Sequence, residues 1–320
     1  MGHLLTHLRQ SALLKLAVKA GLTLLAFWFV FRGIDFAMLG DMLRRQDHGL
    51  LAVAVLFLAL QIAVGSLRWR LILNALSETG KSLLGHKAAL IIYYISIFFM
   101  CCLPGTVGGD VMRVWLTKSE HVPMTTAIHS VIIDRIIALV ALGSMIMVAL
   151  PSLASIAGFD AFGVFAIVAA LAAAGVLILV NLERIIGRYR RFRLVHWVLY
   201  FLDSLRLILK RRVASAQSFL LAVSTHSFYC IGAYFLAQSF HIPISLIQCM
   251  ILIPPVVLAT TLPITVGGWG IREAGMIAMF RLAGVSQAAA LMLSIQLGVI
   301  VIAITLPAGI LWLFYRKRAA

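Results

Sequence analysis

Two stretches of the chain put an arginine just after a glycine pair. "LPGTVGGDVMR" runs from Leu103 to Arg113, and "LPITVGGWGIR" runs from Leu262 to Arg272, 159 positions later. Seven of the eleven positions are identical. Pro104 and Pro263 can end the incoming apolar helices. Gly108-Gly109 and Gly267-Gly268 permit a sharp reversal and leave backbone N–H groups free at the start of the next helix. Such groups attract anions. Thr106 and Thr265 add hydroxyl donors. Arg113 and Arg272 follow about one turn later, and a guanidinium binds phosphate through two parallel hydrogen bonds. Asp110 and Glu273 stand beside the arginines, placed either to neutralise them or to carry a proton. One such elbow alone would read as architecture; the pair reads as two anion-binding elbows.

A second charged pair lies in "VIIDRIIAL", where Asp134 and Arg135 interrupt an apolar span. A charge at the centre of a membrane helix costs about 2.5–3.5 kcal/mol on insertion scales. The two side chains diverge by about 100° around a helix. They therefore pair with other segments, in a functional role or as a structural ion pair. No metal or cofactor is expected: Cys101, Cys102, Cys230 and Cys249 lack ligand spacing. "TGKS" (79–82) resembles the end of a phosphate-binding loop, but Ala75 stands where that motif needs glycine.

The elements that must position these residues are membrane helices. The 320 residues are 62% hydrophobic and 12% charged, with a mean hydropathy of +1.05. The expected architecture is an all-α polytopic membrane protein, a single integral membrane domain over 1–320. Spans are expected at 13–31 (uncleaved), 50–67, 123–150, 160–181, 213–239 and from about 285 to the C-terminal "YRKR". Two glycine-broken hairpins are expected at 88–119 and 244–284. The net charge of +16 lies mostly between spans, which indicates topology and anionic headgroups rather than nucleic acid. The 182–212 stretch holds nine basic residues interleaved with Trp197, Tyr200, Phe201 and Leu205. It reads as an amphipathic helix on the cytoplasmic surface.

Topology follows from the basic segments. If each broken segment crossed the membrane once, the 182–212 stretch would fall outside. If each dips in and returns, the N-terminus, the 68–87 loop, 182–212 and Arg316–Arg318 are all cytoplasmic. An odd number of spans then separates the hairpins, so they enter from opposite faces. That is an inverted-topology repeat, 1–150 against 160–320, of the kind that places a substrate site where broken helices meet.

The paired elbows and the intramembrane Asp134-Arg135 resemble the lysylphosphatidylglycerol synthase transmembrane region, also called the flippase-like domain family, over nearly the whole chain. That resemblance implies movement of a polar-headed lipid between leaflets of a bacterial inner membrane. Carried onto this chain, the motif positions are Pro104, Gly108, Gly109, Asp110, Arg113, Asp134, Arg135, Gly267, Gly268, Arg272 and Glu273. Two-domain members carry a soluble aminoacyl-transferase domain; the polar stretches here are too short for one, so aminoacylation by this sequence is not expected. The leading expectation is a flippase or scramblase for an anionic, phosphate-bearing or polyprenyl-phosphate-linked lipid. Two alternatives stay open: an ion-coupled transporter of a small soluble anion, or a non-transporting partner of a lipid-modifying enzyme.

Overall fold

A computed structural model describes residues 43–77, 82–102, 107–158, 163, 181, 193–261 and 268–319. The described residues form helices: α1 (His48–Ala75), α2 (His86–Cys102), α3 (Val107–Ser119), α4 (Met124–Ala157), α5 (Arg193–Lys210), α6 (Arg212–Ser239), α7 (Leu246–Thr260), α8 (Ile271–Arg281) and α9 (Gln287–Ala319). Local chemistry sets several ends. Asp47 caps α1, its carboxylate accepting from the Gly49 and Leu50 N–H groups. Ser245 and Gln248 cap α7 reciprocally. Gly158 closes α4 in the left-handed region at φ 73°.

Four of these helices, α1, α4, α6 and the Gln287–Tyr315 part of α9, are long and apolar enough to cross a membrane. The expected spans at 13–31 and 160–181 lie outside the described residues. Two boundaries differ from expectation: α4 does not stop at 150 but continues through Pro151 to Ala157, and α1 does not stop at 67 but continues through Arg68, Trp69 and Arg70 to Ala75. Arg68 is buried and paired, so its charge does not end the helix.

Packing follows from hydrogen bonds at the ends of α1. At its start, the Asp47 N–H donates to the Ser239 carbonyl at the end of α6. Just beyond its last turn, the Ser77 carbonyl accepts from Arg211 at the start of α6. The two helices are therefore antiparallel over their full length. Gly232 of α6 lets Leu58 of α1 lie close against it.

The short helices come in pairs. α2 and α3 have 17 and 13 residues, and α7 and α8 have 15 and 11. At 1.5 Å per residue none reaches the ~30 Å of a bilayer core. Just before α2, the Leu83 and Leu84 N–H groups donate to Asn74 near the end of α1. Leu116 of α3 packs in the same cluster as Leu73 and Leu84. α2 thus starts beside the end of α1. Around the other pair, Ile242 and Ile244 cluster with Phe280 and Val285, beside the Asp47–Ser239 end. The contacts also mirror each other. α2 packs on α9 as α7 packs on α4, α3 on α4 as α8 on α9, and α1 on α2 as α6 on α7. The remaining helix, α5, lays Leu202 and Ile208 inward, with Ile208 against Ile72 and Ile133.

Glycine has two different uses here. Gly268 (φ 78°) and Gly270 (φ 87°) supply the left-handed backbone before α8. Gly108 and Gly109 do not: both lie in the first turn of α3, so the sharp reversal assigned to them is not theirs. Gly109 serves close approach instead, since a Cβ there would overlap the Ser96 backbone carbonyl of α2. Thr106, Thr265 and Gly267 lie outside the described residues.

Gly109→Ala is expected to lower the melting temperature in detergent, by an overpacking cost of about 1–3 kcal/mol. Gly143→Ala, with open space around the new methyl, should be neutral or mildly stabilising. Equal melting of the two variants would remove the close-packing role. Cysteines placed at Lys118 and Gln287 should label from opposite sides of sealed vesicles; labelling from one side would contradict the helix order described above.

Candidate functional site: two buried arginine centres

In the first centre an unbroken chain of charge links three helices. Asp134 of α4 accepts from Arg68 Nε of α1 at 2.7 Å and from Arg113 Nη1 of α3 at 3.0 Å. Arg113 Nη2 donates to Asp110 at 2.7 Å, and Arg135 Nε and Nη2 donate to the two oxygens of Asp110 at 3.1 and 3.0 Å. The order is Arg68–Asp134–Arg113–Asp110–Arg135. Divergence around α4 is the reason the neighbours Asp134 and Arg135 find different partners.

Burial grades along this chain of groups. The side chains of Arg113 and Asp134 are each 3% exposed, Asp110 is 22% and Arg135 is 42%. Arg113 also lies over the rings of Trp69 and Tyr93, at 5.4 and 5.2 Å. Trp69 is held in turn by a hydrogen bond to Ser130 at 3.1 Å. Gly65 makes room for Tyr93, whose ring would meet a Cβ there. Arg68 Nη1 and Arg113 Nε are buried and without a hydrogen-bond partner.

The second centre is smaller. Arg272 donates to Glu273 Oε1 through Nη2 at 2.8 Å and Nε at 3.1 Å. Ser294 of α9 accepts from Arg272 Nε at 3.2 Å and donates to Glu273 Oε1 at 3.0 Å. The other Glu273 oxygen accepts from the Gly270 N–H, so that backbone donor already faces an internal carboxylate. Arg272 lies over Trp269 at 4.5 Å. Gly298 of α9 leaves room for both, because a Cβ there would overlap them.

Most of the expected site residues that are described thus gather into these centres: Asp110, Arg113, Asp134 and Arg135 in one, Arg272 and Glu273 in the other. Gly109 and Gly268 support the flanking backbone. Gly108 takes no part in either ion network among the described residues. The sequence reading missed Arg68, which it assigned to a cytoplasmic loop, and also Trp69, Trp269, Ser294 and Gly298. An arginine flanked by apolar residues in "GSLRWRLIL" was the available signal for Arg68. Tyr94 donates to the Ile304 carbonyl, and His226 contacts the Ala138 carbonyl at 3.1 Å. Among the described residues no cluster of His, Cys, Asp or Glu could hold a metal ion.

Long apolar helices around paired short ones, with ionic groups sequestered between them, define a multi-pass membrane protein. Residues 13–317 match the family model described as lysylphosphatidylglycerol synthase TM region, and the chain belongs to that family. No curated protein matches it.

Removing one partner of a buried ion pair leaves the other charge stranded, at a cost of about 3–5 kcal/mol. Asp134→Asn takes from Arg68 its only carboxylate among the described residues and leaves Arg113 with Asp110 alone, so it should be strongly destabilised in detergent. Asp203→Asn, which loses only an exposed 3.5 Å pair with Arg206, should melt like the parent. A normal melting curve for Asp134→Asn would show that the network holds nothing together.

Proposed function

We propose that this protein moves an anionic, phosphate-bearing lipid between the two leaflets of a bacterial inner membrane. The observation that carries this reading is the pair of arginine centres, one on α3 and one at the start of α8, each on the second helix of a short pair. We read those pairs as re-entrant hairpins of an inverted-topology repeat, with six full spans in all. The mirrored contacts of α1–α4 and α6–α9 support it. Broken helices meeting inside the membrane are a common substrate-binding arrangement, and irregular backbone is tolerated there only where protein or a polar cavity covers it.

The end of the bundle bearing Lys118, Arg211 and α5 is assigned to the cytoplasm by its basic residues. Membership of a family named for a lipid, lysylphosphatidylglycerol, agrees with a phosphate-bearing lipid as the cargo. The reading gives these residues transport, and no aminoacyl transfer.

Vesicles reconstituted with the full chain and a lipid carrying a labelled phosphate headgroup provide the test. Headgroups initially shielded in the inner leaflet should reach an added quencher faster than in protein-free vesicles. Identical exchange in both would overturn the proposal, and uptake of labelled inorganic phosphate into sealed vesicles would favour a soluble-anion transporter.

A further inference from the structure

The two centres differ electrically. In the first, three guanidinium groups (Arg68, Arg113, Arg135) face two carboxylates (Asp110, Asp134), leaving one positive charge uncompensated among the described residues. In the second, Arg272 faces Glu273 and nothing is left over. The difference arises on the long helices. α1 contributes Arg68 and α4 contributes Asp134 and Arg135, whereas α9 has no charged residue from Gln287 to Tyr315.

We infer that the phosphate group is taken up at the first centre alone, with Arg135 the side chain that contacts it and Arg68 the source of the uncompensated charge. This rests on the reading of the centres as stations for a phosphate-bearing cargo.

Three observations converge on it. An unbalanced charge in a poorly polarisable interior is costly, and an arriving anion relieves that cost. Two buried donors, Arg68 Nη1 and Arg113 Nε, have no partner, so the centre is not saturated. Arg135 is the open end, 42% exposed, and it shares Asp110 with Arg113 rather than holding a carboxylate of its own. A phosphate oxygen meeting Arg135 thus adds negative charge to a centre that lacks it. At Arg272 the same oxygen would compete with Glu273, whose two oxygens already accept from Arg272, Ser294 and the Gly270 N–H. An anion passes that centre without being held there.

The phosphate could belong to a lipid headgroup or be free, and both are probed. The full chain in a neutral maltoside detergent is titrated with dihexanoyl phosphatidylglycerol and, separately, with inorganic phosphate. The rise in melting temperature with concentration gives an apparent Kd. Charge-assisted hydrogen bonds are worth about 1.5–3 kcal/mol, so Arg135→Gln should weaken binding by about tenfold or more. Its ligand-free melting should stay close to the parent's, because Asp110 keeps Arg113. Arg272→Gln should change the affinity less than about twofold, the anion having no bound state there on this reading. Arg135→Lys, which keeps the charge, should lose less than Arg135→Gln and covers the case where the glutamine variant folds poorly. A response to the short-chain lipid but not to inorganic phosphate assigns the site to a headgroup, and the reverse assigns it to free phosphate; dependence on Arg135 supports the inference in either case. Unchanged binding by Arg135→Gln, an equal loss in Arg272→Gln, or equal losses in the lysine and glutamine variants would overturn it. If the parent protein neither binds these probes nor exchanges lipid, the transport reading itself has failed. If it exchanges lipid while Arg135→Gln binds normally, only the present inference has failed.

Discussion

A carboxylate inside a membrane bundle must be paired, and Asp134 is the residue on which that constraint falls hardest. Its two oxygens take guanidinium groups from two other helices, Arg68 on α1 and Arg113 on α3. Those two bonds set the depth of α1 and α3 relative to α4. They also allow α1 to carry Arg68 without ending there. Arg113 can reach Asp134 because α3 lies close to its neighbours, and Gly109 permits that by presenting no side chain to the Ser96 carbonyl. Its cation rests on Trp69 and Tyr93, and Gly65 admits the Tyr93 ring. Small residues at close approaches are how membrane helices gain packing when lipid supplies no hydrophobic drive between them.

The second centre answers the same constraint with fewer parts. Its acid is the residue next to its arginine, so pairing is completed within α8 and only Ser294 reaches across from α9. Glu273 also closes the start of its own helix by accepting from the Gly270 N–H, where a negative charge is favoured by the helix dipole. One centre therefore joins three helices by charge. The other joins two by a hydroxyl and by the contact of Gly298 with Arg272 and Trp269. Each centre lies on the second helix of a short pair, but their electrostatics differ.

Around these centres the surface is what a bilayer requires. Val148, Val213, Ile247 and Phe314 are among the most exposed side chains, Val148 at 83%; on a soluble protein so much exposed apolar surface would mark a binding or aggregation site. Polar contacts outside the two centres include Gln46 with Ser239 and Gln296 and Tyr315 with Glu120. The amphipathic helix α5 uses its apolar side to cover the ends of α1 and α4 and exposes Asp203, Arg206 and Lys210.

By itself the sequence determined the class, most of the described element ends to within a few residues, and the existence of two related helix pairs. Those properties are written in local terms: runs of apolar residues, prolines, glycines, and a motif repeated at a fixed distance. It also marked Arg113, Arg272, Asp110, Glu273, Asp134 and Arg135 as residues that must be accommodated, because an ionised group in an apolar run is costly wherever it ends up. Tertiary structure decided who accommodates whom. Arg68 and Asp134 are 66 residues apart, and no local pattern predicts their meeting. The same holds for the task of Gly109. A glycine pair reads as a turn when only its backbone freedom is considered, and as a contact point once Ser96 is known to lie against it. The imbalance of charge between the two centres was likewise set by packing, which delivered an arginine from α1 to one centre and only a serine from α9 to the other.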